Sequence, residues 1–572
     1  SITMVTQRRQ RKRRRPVTIK HDLIVSNWLF QLLSGLIIVS LLMCTIIFLH
    51  VHLATSSNNN VNDDVVNAGS RPEGIELAVP KPGQKILNKN NENQQLEPHL
   101  YPRLPHLPIF PSIDNNETLI QNTLLHNKPT IAGIAASIYQ FLNALHVSNQ
   151  KFATELLEDE SNKKKKKKKN ANDLRAAYVT QVQQHLLPLE KAYRGRPLFP
   201  IRHDDSIFVS IAAFREHLLA DTLASAYSSA THPDKLFCGV VVQNCFDNTK
   251  CIGGVKVVGK DKMGRDKMQK IDGISDRNGV EEFCHNSTFA QYCNNGQVRV
   301  IYIQDIDALG PAAARYYSSK LWGGETYYVQ VDSHLHFANG WDELYIADLK
   351  LAKAYPKAIL STYPPGFVNF RQEPPYTSGT RLCRCRIRAE EGFVPRVEME
   401  GRSRENETRP TQMAFMGAGF FFASAEFLVD VPFDPFLPWL FMGEEVALSV
   451  RAWTHGWTIY APRKNLIGHQ YRPMSMGTPH YQDSVSRLLT HPGMFGRAEN
   501  QVLDRVKHLL GYPDLHNDNH EDNSDPYNKF LEMDLYGLGT ERSLKDYLTF
   551  AEIDIDKRTC GPMKWCSDGE LE

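Results

Sequence analysis

Four short stretches hold residue types capable of chemistry. Tyr327 to Phe337 reads YYVQVDSHLHF, so an apolar run ends on Asp332-Ser333-His334. Residues two apart on an extended segment point to the same side. A carboxylate oxygen and an imidazole nitrogen placed this way could converge on one divalent ion, and mixed O/N ligation suits Mn²⁺ better than Ca²⁺. A metal with open positions can take phosphate oxygens. The plainer alternative is a capped strand end. Asp305-Ile306-Asp307 also follows an apolar run, and Asp554-Ile555-Asp556 repeats the spacing, so the triplet alone does not choose. The second stretch, Gln412 to Ala423, reads QMAFMGAGFFFA; Gly417 and Gly419 permit close backbone approach to a ligand. In the third, Glu444 and Glu445 follow a glycine and open a helix. Acidic residues are also favoured there simply by the helix dipole. The fourth, Gly468 to Arg472 (GHQYR), offers His469 as a third ligand or as a structural histidine.

These residues need a frame. Apolar runs at 206–214, 235–243, 298–304, 326–331 and 358–363 read as buried strands. Helical spacing occupies 216–229, 311–321 and 341–354 between them. Strands alternating with helices imply an α/β domain with a largely parallel sheet and helices on both faces. Ligands of such sheets bind beyond the carboxyl ends of the strands, where Asp332 and His334 fall. No Gly-x-Gly-x-x-Gly follows the first strand, and no Gly-Lys-Ser/Thr loop occurs. A dinucleotide fingerprint and a P-loop are both excluded.

The chain has 572 residues and a net charge of +2, so no overall field points to nucleic acid. The basic segment 1–27 precedes an uncharged apolar stretch, 28–49, whose 22 positions span about 33 Å as a helix. The positive flank predicts a cytosolic N-terminus and a type II single-pass anchor, with everything beyond it lumenal or external. The region 50–204 reads as a stem, Asn- and Pro-rich at first. Helical segments follow on either side of the lysine run 163–169, as a stalk or packed on the next domain. A catalytic domain is expected at 205–475 and a C-terminal extension packed on it at 476–572. Sequons at Asn116, Asn286 and Asn406 suit a lumenal address. So do the locally spaced pairs Cys284/Cys293 and Cys560/Cys566, with Cys238 left over. Cys383 and Cys385 form a close pair that could alternatively bind metal.

The order IFVSIAAFRE, YYVQVDSHLHF, NGWD, GAGFFFA, FMGEEVALSVRAWTHGW and GHQYRP, from Ser206 to about Arg472, resembles the polypeptide N-acetylglucosaminyltransferases, both hydroxyproline-directed and Ser/Thr-directed. A weaker tail runs through Gly539 to Leu544. The resemblance implies a GT-A fold, UDP-GlcNAc as donor, Mn²⁺ as cofactor, and transfer with retention to a polypeptide hydroxyl in the Golgi. It implies that Asp332, His334 and His469 ligate the metal. Phe214 and Arg215 would lie near the nucleotide, and Glu444 and Glu445 would hold sugar hydroxyls or orient the acceptor. His336 departs from the pattern, since members commonly carry arginine there. Rival readings are a transferase using UDP-GalNAc or UDP-Gal, and a non-catalytic membrane-tethered lectin or adhesin.

Overall fold

Strand β1 (Ile207–Phe214) shows how the sequence builds the sheet: Ile207, Val209 and Ile211 enter one apolar core and Phe208 the other. Alternate side chains of a strand face opposite sides, so a strand buried on both faces reads as a continuous apolar run. The computed structural model describes residues 116–126, 128–161, 171–247, 251–260, 262, 266–403, 407–471, 494–513 and 530–568. All lie in one compact unit, Leu96–Glu572. The basic tail, the expected anchor at 28–49, the first part of the expected stem, the lysine run and 472–493 fall outside the described residues.

The remaining strands of the central sheet are β2 (Leu236–Asn244), β3 (Val298–Gln304), β4 (Tyr327–Val331), β6 (Ala358–Ser361), β7 (Thr411–Met413), β8 (Phe420–Ser424) and β9 (Thr458–Ala461). They lie in the order β7-β9-β6-β8-β4-β1-β2-β3. The run β4-β1-β2-β3 is parallel; β8 runs antiparallel between β4 and β6, and β7 antiparallel to β9. The sheet is therefore mostly parallel, and its carboxyl ends gather at one edge. A short antiparallel pair, β5 (Leu335–Phe337) with β10 (Ile467–His469), sits just past β4.

One face is covered by α4 (Leu219–Ser228) and α6 (Trp341–Leu351), whose Leu223, Tyr227, Trp341 and Tyr345 share a core with Val209, Val329 and Phe422. The other face carries α2 (Ile131–Ser161), α3 (Ala171–Gln181), α5 (Pro311–Ser319), α7 (Glu444–Thr454) and α8 (Met494–Leu509). Helix α2 is long and apolar enough to cross a membrane by length and composition. Its Ile134, Ile138, Phe141 and Leu142 are instead buried with Ile301 and Tyr317 in the core. The helical segments of the region expected to be stem thus pack on the sheet domain. The Tyr139 hydroxyl accepts from the Tyr302 amide at 2.9 Å, and the Tyr178 hydroxyl donates to the Pro435 carbonyl at 2.5 Å.

The cysteines correct part of the sequence reading. Cys284–Cys293 closes a local loop as expected, and Cys238 is free and buried. Cys560 and Cys566 do not pair with each other. They bond Cys385 and Cys383 and tie the C-terminal segment to the domain, which removes the Cys383/Cys385 metal reading. Cys245–Cys251 is a further bridge.

Candidate active site

Strand β4 ends at Val331, and the chain turns through Asp332 into β5. The β5–β10 pairing sets His469 opposite Leu335, and the Gln470 amide donates to the His334 carbonyl at 3.1 Å. This pairing brings residues more than 130 positions apart into one cluster. His334 Nε2 lies 3.0 Å from His469 Nε2, which lies 3.1 Å from Asp332 Oδ2. All three ligand atoms fall within 4.8 Å of one another. The rival triplets are occupied elsewhere. Asp307 pairs with His146 at 2.6 Å and Asp305 lies 3.5 Å from Arg215, while Asp554 takes an exposed ion pair with Lys557.

The donor set fits a divalent cation. Ligand atoms held about 2.0–2.2 Å from one ion sit roughly 3 Å apart when at right angles. His334 Nδ1 lies 3.0 Å from the carboxylate of buried Glu216. That partner assigns the ring proton to Nδ1 and turns the Nε2 lone pair into the cluster. Burial pushes the Asp332 carboxyl up, but the His469 hydrogen bond and the Arg315 charge outweigh it and hold it well below the usual carboxylate range. Asp332 is therefore an anion available to a cation.

Behind the cluster, Arg315 on α5 is 6% exposed and donates through Nη2 to Asp332 Oδ1 at 3.1 Å. Its Nη1 pairs with Glu444. Glu444 thus faces inward, 5% exposed, with Oε1 lacking a hydrogen-bond partner. Glu445 turns the other way. Its carboxylate accepts from the Tyr363 hydroxyl at 2.7 Å and from the Ala418 amide at 2.9 Å. Burial raises its pKa to about 7, the two hydrogen bonds opposing only in part. The glycines of Gly417-Ala418-Gly419 are needed for close approach. A Cβ on Gly419 would stand 2.9 Å from Asp332 Oδ2, and one on Gly417 would stand 3.0 Å from the Tyr363 ring.

Arg215 does not point at the cluster. Its guanidinium is taken up by Asp276, at 2.8 and 3.1 Å, and by the carbonyls of Ile252 and Gly253. Phe214, at the end of β1, is partly buried against the core. His336 stacks on Phe367 with ring centroids 4.2 Å apart. Three residues at the site escaped the sequence reading. Glu216 follows Arg215 directly, and only its partner reveals it. Arg315 is the lone charge in the buried helix PAAARYYSS, and that pattern, which demands a partner, could have found it. Tyr363 looks like any strand-end core tyrosine. A cavity of about 330 Å³ between Tyr193, Trp322 and Phe433 contains none of these residues.

The sequence from 206 to 557, well over half of the chain, matches the family model described as Glycosyltransferase (GlcNAc). The chain belongs to that family. The Asp332, His334 and His469 cluster lies inside the matched span. No individual curated protein matches it. Among solved structures it is similar to GalNAc-T7 crystallised with UDP, GalNAc and Mn²⁺, at 16% identity and a TM-score of 0.36. That likeness covers 63% of this chain and 56% of the other, so the chain spans little more than half of that relative. Staphylococcus aureus TarS 1–349 with UDP-GlcNAc gives 12% identity and a TM-score of 0.27 over 52% of this chain and 71% of that one. Glucosyl-3-phosphoglycerate synthase from Mycobacterium tuberculosis, with Mn²⁺, UDP and glucosyl-3-phosphoglycerate, gives 15% and 0.24 over 50% and 81%.

Proposed function

We propose that this glycosyltransferase is a metal-dependent enzyme of GT-A type. It would move N-acetylglucosamine from UDP-GlcNAc to a Ser/Thr or hydroxyproline hydroxyl of a polypeptide, with retention, from a Golgi type II anchor. The carrying observation is the convergence of Asp332 Oδ2, His334 Nε2 and His469 Nε2 at the carboxyl end of β4. A divalent ion bound there would supply positive charge against the diphosphate leaving group. Asp332, His334 and His469 would hold it, with Glu216 orienting His334. Arg315 would fix the orientation of Asp332 through its second oxygen. Glu445, opposite on the Gly417–Gly419 wall, would accept a hydrogen bond from a sugar or acceptor hydroxyl. Glu444 would act through Arg315 rather than on the sugar. With no carboxylate among the described residues placed as an evident nucleophile, front-face transfer with the leaving phosphate as base fits the site.

The test is incubation of the full chain with labelled UDP-GlcNAc, UDP-GalNAc and UDP-Gal, with and without Mn²⁺, on paired threonine and hydroxyproline peptides. Mn²⁺-dependent transfer of N-acetylglucosamine with an α-linked product is expected. Transfer of another sugar would move the donor assignment, and metal-independent transfer would sink the proposed site.

A further inference from the structure

Beyond β2 the chain leaves the sheet as a two-stranded hairpin, Gly254–Lys260 paired antiparallel with Asp266–Ile271. It joins no other strand among the described residues. Its sequence, GVKVVGKDKMGRDKMQKI, has five lysines and one arginine against two aspartates. Lys256, Lys262 and Lys267 are exposed, and so are the apolar Val257 and Val258. The whole chain has a net charge of only +2, so this positive charge is concentrated rather than diffuse.

An isolated hairpin is marginal in water. This one is anchored at its root. Cys245–Cys251 closes the first turn. Asp276 accepts from the Cys245 amide at 2.8 Å and pairs with Arg215, whose guanidinium also holds the Ile252 and Gly253 carbonyls. The root stands at the carboxyl end of β2, two strands from β4, or roughly 10 Å at ~4.8 Å per strand. Seven residues of strand give a reach of about 23 Å. Arg215 is followed directly by Glu216, which orients His334. The basic hairpin therefore rises from the same edge of the sheet as the metal-ligand cluster.

We infer that the hairpin is a docking arm for an acidic stretch of the polypeptide acceptor; this rests on the polypeptide-acceptor reading above. The lysines would draw in glutamate- and aspartate-rich sequence by charge, and Val257 and Val258 would add apolar contact. On that reading an acceptor hydroxyl must come to the cluster just past β4, within the arm's reach. Such rim charges act chiefly through long-range attraction and are screened by salt.

The experiment uses the full chain in uncharged detergent micelles. It compares the wild type with the triple variant Lys256→Glu, Lys262→Glu, Lys267→Glu. The probe is a fluorescein-labelled peptide with one threonine between runs of glutamate, beside its glutamine counterpart. Anisotropy should show the acidic peptide binding the wild type at least about tenfold more tightly than the variant. The difference should shrink with added salt, the glutamine peptide should distinguish neither protein, and Mn²⁺ binding should be unchanged. Equal binding by both proteins, or none by either, overturns the proposal. So does lysine-dependent binding only to micelles containing phosphatidylserine, which would make the arm a membrane contact. Sugar transfer is measured on the same peptides. Lysine-dependent binding without transfer would overturn the transferase reading and support the arm. Transfer with the same KM in both proteins would overturn the arm and leave the transferase.

Discussion

Arg315 holds Asp332 by one carboxylate oxygen, 3.1 Å from Oδ1, and leaves the other, Oδ2, turned to His469. On the proposed reading the two oxygens have separate duties, Oδ1 fixing the orientation of the carboxylate and Oδ2 taking a cation. Glu444 completes the arrangement by pairing with the same guanidinium.

Because Arg315 and Glu444 are both buried, removing one strands the other. Arg315→Met should cost about 3–5 kcal/mol in denaturant unfolding, the cost of an uncompensated buried charge. The double change Arg315→Met, Glu444→Leu should lose less than the single one. Glu444→Gln should keep the fold better, yet weaken Mn²⁺ binding several-fold. Arg315 would then compete uncompensated for Asp332. Electron paramagnetic resonance of free Mn²⁺ reads that directly, and restored affinity in Glu444→Asp would separate charge from packing.

Glu216 touches no ligand position but fixes the His334 tautomer. Glu216→Gln should lower Mn²⁺ affinity by about 10–100-fold, the range for outer-shell partners of metal-bound histidine. Calorimetric titration with Mn²⁺ and UDP measures it; an unchanged affinity would mean that His334 is not a ligand.

Chelation with EDTA, or His469→Ala, should abolish UDP binding while shifting the melting temperature only slightly. Asp332 and His334 are half-buried and His469 is buried, at the carboxyl end of β4, so the side chains carry polar contacts rather than apolar packing. A variant that unfolds instead would mark His469 as structural.

Gly419→Ala places a methyl 2.9 Å from Asp332 Oδ2. Asp332 cannot yield freely, since Arg315 holds its other oxygen. Mn²⁺ affinity should therefore drop well beyond any change in thermal stability. A normal Mn²⁺ titration of Gly419→Ala would show that this oxygen does not face the ion.

Glu445 has a pKa raised to about 7 by burial. A carboxyl whose folded pKa lies above its unfolded one stabilises the fold fully below the unfolded value. That contribution is lost as pH rises from about 4.5 through about 7. The melting temperature of wild type minus that of Glu445→Gln should fall across this window. If ionised Glu445 accepts from a hydroxyl, wild-type transfer should rise through pH 7. A flat difference in melting temperature would count against the burial of this group.

Much of the frame was legible in advance, because the signals are local. Ile207–Phe214 and Tyr327–Val331 are apolar runs interrupted only by Ser210 and Gln330, as a strand buried on both faces reads. The antiparallel insertion of β8 was not legible, since an apolar run has no direction. The exchange of Cys560 and Cys566 for partners 175 and 183 positions away was likewise hidden, because spacing suggests only local loops.

From the sequence alone came the chemical inventory: the Asp332-Ser333-His334 triplet, the paired glutamates, the glycine step and His469. Periodicity also placed them at strand ends and helix starts, because burial patterns depend on neighbours along the chain. Only the tertiary structure separated the two glutamates, turning Glu444 inward to Arg315 and Glu445 toward Tyr363. It alone paired β5 with β10 and so brought His469 to His334. It also withdrew Arg215 to the root of the basic hairpin. Which side chains meet across a fold depends on pairings between distant segments. Those pairings follow from packing and hydrogen bonding of the whole domain, not from residue spacing.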